Sequence, residues 1–270
     1  MLTAIDISDF TKCKLVAASD ITPTIRSLRL QITNKSDYNS LSFRPGQWVD
    51  FYVDHLQKLT GYSITSTPDQ LDSDHSISLA IKQSDDAITK WVHSKEVLEF
   101  NERDICVHLR VGGDFQFDNN EAKHYILICG GIGITPLASI FKYFCNHCDH
   151  SRVTLMYSVS TPDELALIDE LETAHKAAAD RSDIHLTVTQ HQEQEEEMKE
   201  DGGRQEWKGR RGRITTEWVK ECRDRYIKDF DAGHCEYLVC GPSAMIDAFN
   251  ESLQKDLKAD PKQIWFEKWW

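Results

Sequence analysis

The sequence predicts two domains in series: an antiparallel β-barrel over residues 1–120 and an α/β domain with a parallel sheet over residues 121–270. Three observations carry this expectation. The 270 residues suffice for two cores of ordinary size. The first half alternates apolar and polar residues with a period of two, in short stretches separated by turns. From residue 125 onward, continuous apolar runs alternate with stretches of helical spacing. The two patterns meet near residues 119–123, and no internal repeat is visible.

Leu28, Leu30 and Ile32 form one alternating set, Ile77, Leu79 and Ile81 a second, and Ile105, Val107, Leu109 and Val111 a third, as in half-buried strands. Residues 47–53 add a fourth candidate, opened by the turn residues Pro45 and Gly46, while 20–23, 69–74 and 112–114 read as breaks. A helix is expected around Ile88, Trp91 and Val92. In the second half, strands are expected at 125–129, 153–157, 184–188 and 237–240. Helices are expected through Leu137, Ile140, Phe141 and Phe144, through Leu165, Ile168 and Leu171, through Trp218, Val219 and Cys222, and through Ile246, Phe249 and Leu253. That order belongs to an open parallel sheet covered on both faces. The glutamate-rich run 191–201 reads as a solvated loop.

A net charge of −13 argues against nucleic acid or an anionic membrane as the main partner. No apolar run reaches the length of a membrane span, and the first residues, with Asp6 and Asp9, match neither a secretory signal nor a basic transit peptide. The eight cysteines are scattered through apolar stretches, which favours free thiols in a reducing compartment, cytoplasmic or mitochondrial. Cys145, Cys148 and His150 include a C-x-x-C spacing, but no second pair accompanies it, so no metal site is assigned.

Residues 125–139 form the centre of the second half. An apolar strand ends in Gly130, Gly131 and Gly133, and Pro136 sits where the first turn of a helix tolerates a residue without an N–H. Such a turn lets a backbone approach a ligand closely and aims free N–H groups at an anion, commonly a cofactor pyrophosphate. The same pattern also occurs in α/β folds as a plain connection, and the G-x-G-x-x-G fingerprint is absent because Pro136 replaces its last glycine.

The motifs Arg44-Pro45-Gly46-Gln47, Gly61-Tyr62-Ser63-Ile64-Thr65-Ser66, Gly112-Gly113-Asp114-Phe115, Gly130-Gly131-Ile132-Gly133-Ile134-Thr135-Pro136 and Cys240-Gly241-Pro242 follow one another in a set order. In that order and spacing the chain resembles the ferredoxin-NADP reductase superfamily over nearly its whole length. Its ending, Phe266-Glu267-Lys268-Trp269-Trp270, is most similar to the branch of oxidoreductase NAD-binding domain-containing proteins.

The resemblance implies an FAD-dependent NAD(P)H oxidoreductase that passes electrons to an acceptor, for which a small redox protein is one candidate. Tyr62 would pack on the flavin ring or its ribityl arm and Ser63 would bond N5, with Thr65 and Ser66 continuing the stretch and Thr89 offered to the flavin phosphates. Gly130, Gly131, Ile132, Gly133, Ile134, Thr135 and Pro136 would cradle the nicotinamide nucleotide, with Gly241 and Pro242 beside its ring. Ser63, Cys240 and Glu267 would form the catalytic set, and Trp269 and Trp270 would cover one face of the flavin or stack on its adenine. Ser158, Ser160 and Thr161 would meet the adenosine ribose, and Arg210, Arg211 and Arg213 lie near the place of its 2′-phosphate, with Arg213 the assigned contact. No acidic residue stands immediately after the strand at 153–157, which favours NADP(H). The chain departs from the family at Thr60, where a basic residue would neutralise the flavin pyrophosphate, and at Asp85 and Asp86, whose charge repels an anion. Arg26, Arg44 or Arg110 would be substitutes for that base. The departures keep a second reading open, a non-catalytic nucleotide-binding or electron-transfer subunit of a larger complex.

Overall fold

The structure, a computed structural model, describes residues 5–38, 41–99, 105–115, 117, 122–190, 207, 209–226 and 234–268. The glutamate-rich run, part of the expected boundary, Trp269 and Trp270 lie outside the described residues.

Six strands form the first sheet: β1 (Thr11–Thr22), β2 (Ile25–Ile32), β3 (Trp48–Val53), β4 (Lys58–Ser63), β5 (Ser76–Lys82) and β6 (Cys106–Gly112). Their order is β4-β3-β6-β1-β2-β5, and every pairing is antiparallel. The two edges meet where Ile64 bridges Leu79 and the Thr65 N–H donates to the Ser78 carbonyl at 2.9 Å, which closes the sheet into a barrel. The alternating residues read from the sequence face inward: Leu28, Leu30, Ile32, Ile77, Leu79, Ile81, Val107 and Leu109 are all buried. Strand β1 escaped the sequence reading. Register shifts between Leu15 and Ala17 and between Asp20 and Thr22 break its alternation.

Three short helices fill the barrel's connections: α1 (Pro68–Asp74), α2 (Ala87–Val92) and α3 (Lys95–Leu98). The second was expected. The first corrects the reading of 69–74 as a break: Pro68 opens it, and Leu71 alone is buried, too little for a periodic signal.

The second sheet is wholly parallel. It contains β7 (His124–Gly130), β8 (Arg152–Val159), β9 (Ser182–Val188), β10 (Arg210–Arg211), β11 (Cys235–Gly241) and β12 (Ile264–Lys268), in the order β10-β9-β8-β7-β11-β12. Helices α4 (Ile134–His147), α5 (Ile168–Ala177), α6 (Thr216–Arg225) and α7 (Ser243–Asp256) connect the strands. Along β7, Tyr125, Leu127 and Cys129 join a core with Leu137, Phe141 and Leu171, while Ile126 and Ile128 join another with Trp218, Phe249 and Leu253. Burial on both faces explains why this strand reads as an unbroken apolar run. Helix α5 starts at Ile168, later than expected, because Leu165 and Leu167 lie in the preceding turn and Leu167 has φ +62°.

The chain winds outward from β7 to β10 and then returns to the other side of β7 as β11, so the strand order reverses between these two central strands. Ligands of open α/β sheets bind at such a point. Helix α4 leads away from it and is fastened to the barrel. Ser139 Oγ donates to the Ser66 carbonyl at 2.6 Å, and His147 Nε2 lies 2.8 and 2.9 Å from the Asp69 carboxylate oxygens. Gly46 of the barrel comes so close to Ile140 that a Cβ there would lie 2.9 Å from Ile140 Cδ1.

Candidate functional site

A cavity of about 860 Å³ opens where the barrel faces the carboxyl ends of the parallel strands, a size within the range of cofactor sites. Strands β3 and β4 supply Trp48, Thr60, Tyr62 and Ser63; the other domain supplies Ile132, Thr135 and Glu267. Strand pairing sets these positions: Trp48 lies opposite Ser63 and Val49 opposite Tyr62. Glu267 arrives on β12, in register with Cys240 of β11.

Three residues that line the cavity each carry a buried polar atom without a hydrogen-bond partner: Tyr62 Oη, Ser63 Oγ and Glu267 Oε2. Burying such groups unpaired is costly, and three in one cavity mark a place built for a polar ligand. Burial raises the Glu267 carboxyl from 4.5 to about 7, so at neutral pH it exists in both protonation states. Burial, with the Asp86 charge second, also holds the Tyr62 phenol well above its ordinary range.

The glycine turn divides its work. Gly131, at φ +55°, has no atom within 4 Å of where a Cβ would stand, so its backbone faces open space. Gly133 does the opposite: a Cβ there would lie 2.3 Å from the Cys240 carbonyl oxygen and 2.7 Å from Gly241 Cα. It lets the start of α4 and the end of β11 touch. Gly130 is backed by Met245 and Pro242, and Gly241 by Gly130. Of the expected cradle, Ile132 and Thr135 line the cavity, Gly131 stands outside its wall, and Ile134 and Pro136 are buried at the start of α4.

Several expected contacts lie elsewhere. Thr65 and Ser66 are buried in the barrel seam: Thr65 Oγ1 donates to the Ser78 carbonyl at 3.0 Å, and Ser66 Oγ accepts from the Ser78 N–H at 3.0 Å. Thr89 lines the cavity, but its hydroxyl lies 3.1 and 3.0 Å from the carbonyls of Ser84 and Asp86. Cys240 is fully buried in the core that faces α4 and is not part of the cavity wall. Arg211 and Arg213 are exposed, and Arg210 stacks over the Trp218 ring at 4.2 Å. Trp270 lies outside the described residues.

Two acidic residues have roles that the sequence reading missed. The short turn Pro162–Glu164 folds Glu164 back to the end of β8, where its carboxylate accepts the Ser160 N–H at 3.2 Å. An acidic group thus stands near the end of β8, although it does not follow the strand directly in sequence. Asp86 caps α2, accepting the Ile88 N–H at 2.7 Å. Its position one residue before a helix was the available signal.

The substitutes for a base at Thr60 are mostly engaged. Arg26, 5% exposed, is held by the Asp20 carboxylate at 2.7 and 3.1 Å and by the carbonyls of Val92 and Ser94. Arg110 is held by Asp50 and Asp9. Arg44 is exposed and lies outside the cavity wall. Cys145 and Cys148 are buried at the end of α4, and no cluster of three metal-ligating side chains occurs among the described residues. None of the helices is long and apolar enough to cross a membrane among the described residues.

Residues 127–251 match the family model described as the oxidoreductase NAD-binding domain. The chain is 31% identical over 271 residues to oxidoreductase NAD-binding domain-containing protein 1 of Homo sapiens, covering 95% of this chain and 79% of the relative. In fold it is similar to the ferredoxin reductase in carbazole 1,9a-dioxygenase, with TM-score 0.72, 19% identity, and 99% and 71% of the two chains covered. It is equally similar to the flavohem-like FAD/NAD binding domain of nitric oxide dioxygenase from Vibrio cholerae O1 biovar El Tor, with TM-score 0.72, 14% identity, and 96% and 98% covered. A two-domain chain that joins a closed barrel to a nucleotide-type sheet, with a cavity where the two face each other, thus belongs to the family of oxidoreductase NAD-binding domain-containing protein 1, on the ferredoxin reductase fold.

Proposed function

We propose that this chain is an NAD(P)H oxidoreductase that uses a flavin in the barrel-side cavity and passes electrons to a separate acceptor, a small redox protein being the candidate class. The observation that carries this reading is the set of unpartnered buried atoms on Tyr62, Ser63 and Glu267. A flavin ring edge carries donors and acceptors of the kind these atoms lack, so the residues fit the group. When bound, a flavin supplies a ring that accepts two electrons together and gives them up singly or together.

The chain's own residues position and shield the reaction. Ser63 offers a hydroxyl that can donate from the cavity wall. Tyr62 holds its ring edge-on to Phe51, with centroids 5.5 Å apart, which fixes one wall. Glu267, raised to about 7, takes up or releases a proton near neutrality without a large driving force. Gly131 leaves room for a nucleotide's phosphates beside the start of α4, and Ile132 contributes an apolar surface that excludes water.

Ser63→Ala is expected to slow flavin reduction about tenfold while leaving nucleotide affinity unchanged, because the hydroxyl's hydrogen bond acts at the ring and not at the phosphates. Single-turnover absorbance traces and calorimetry with NADH and NADPH measure the two effects. Equal single-turnover rates in the two proteins would remove Ser63 from the site.

A further inference from the structure

We propose that this cavity grips a flavin by its ring and not by its phosphates, so that the flavin is an exchanging substrate, reduced by the nicotinamide nucleotide and released. The proposal rests on the hydride-transfer reading above and adds which part of the flavin is recognised.

The contrast lies between two groups of residues that line one cavity. In the first, Tyr62 Oη, Ser63 Oγ and Glu267 Oε2 are buried and unpartnered, and each would gain a hydrogen bond from a polar ring edge. This group recognises what riboflavin, FMN and FAD share. In the second, the groups that would hold a diphosphate are already committed. Thr60 is neutral. The Ile88 N–H at the start of α2 is taken by Asp86, and the capping group is itself an anion on the cavity wall. The Thr89 hydroxyl lies within hydrogen-bond distance of Ser84 Oγ at 2.8 Å and of the Ser84 and Asp86 carbonyls.

Charge leads to the same conclusion. Among the described lining residues the cations are Lys82 and Lys268. Lys268 is paired with Asp247, and Asp50 is paired with Arg110. That leaves Lys82, which is exposed, against Asp86, which is exposed and opposite in sign. A single solvated lysine, with a carboxylate on the same cavity wall, offers little to a diphosphate. The Asp86 charge also reaches Tyr62, whose phenol it helps to push up.

The reaction balances with the two ligands named. The reduced nicotinamide nucleotide gives a hydride from C4 and leaves as the oxidised nucleotide. The oxidised flavin takes that hydride at N5 and one proton from water, and leaves as the dihydroflavin carrying two electrons to its acceptor.

The test titrates the full chain, freed of flavin by gel filtration, with riboflavin, FMN and FAD, following flavin fluorescence. The expected dissociation constants agree within roughly threefold, whereas a site that grips the phosphates would bind FAD about tenfold or more tighter than riboflavin. Thr60→Arg is expected to tighten FAD about tenfold and leave riboflavin unchanged, since it restores a charged phosphate contact. A strong preference of the wild type for FAD overturns the proposal and leaves the hydride-transfer reading standing. Failure of all three flavins to bind overturns both. A Thr60→Arg variant that favours FAD no more than the wild type overturns the placement of the phosphates against this wall, and the proposal with it.

Discussion

Gly133→Ala is expected to destabilise the protein by about 3 kcal/mol or more, near or beyond the upper end for overpacking a closed site. The new methyl carbon would stand 2.3 Å from the Cys240 carbonyl oxygen and 2.5 Å from its carbon, both backbone atoms within a central strand. No side chain can rotate away to relieve this. Either the start of α4 moves off β11, or β11 shifts against β7, to which it is paired from Cys235 to Cys240. The control is Gly131→Ala, two residues earlier. There a methyl meets open space and the cost is the left-handed backbone alone, about 1–2 kcal/mol. Urea unfolding of the three proteins measures the difference. Equal losses for the two variants would show that strand and helix do not touch at Gly133. The ligand readout should run the other way: Gly131→Ala, though milder, intrudes where the nucleotide phosphates are proposed to lie and should weaken nucleotide binding at least as much.

The second large effect is in pH dependence. Glu267 binds its proton more tightly when folded, with its carboxyl raised from 4.5 to about 7 by burial. Its stabilising contribution is therefore complete below 4.5 and lost as pH rises to about 7. His124 behaves in reverse. Burial first, and the Arg152 charge second, lower it from 6.5 to about 4, so its contribution is complete above 6.5 and lost as pH falls to about 4. Each group spans at most about 3 kcal/mol, and their slopes oppose each other over the shared window. In the wild type these two contributions are expected to offset each other between pH 4.5 and 6.5. Glu267→Gln removes one of them. Its unfolding free energy should climb by up to about 3 kcal/mol across that window, and it should exceed the wild type at pH 8. Denaturant titrations across the pH range test this. Parallel curves for the two proteins would mean that the Glu267 carboxyl is not desolvated.

Most of the parallel half of the fold was legible because its signals are local; the two-residue β10 and the edge strand β12 were not among the expected strands. A strand covered on two faces is a continuous apolar run, as in β7, and its helix repeats apolar residues on one side, as in α4. The barrel was legible wherever alternation is unbroken. It failed at β1, whose bulges shift the pattern from one face to the other within a single strand. Site residues divided by a different rule. Tyr62 and Ser63 line the cavity, yet Thr65 and Ser66, two and three residues on, turn into the seam with β5. Which way a short hydroxyl points depends on a strand that the chain has not yet reached at that position, and no local pattern records it. Glu164 was invisible for a related reason. It meets the end of β8 only because a turn doubles the chain back.

Helix α4 starts at the nucleotide-side turn, is pinned at Ser139 to the barrel backbone, and ends against Asp69. A single rod fixed at these points holds both half-sites at one separation before any ligand arrives. Neither ligand then has to create the place of the other. The energetic coupling between them should be small, and the nucleotide and its electron acceptor should be able to arrive in either order.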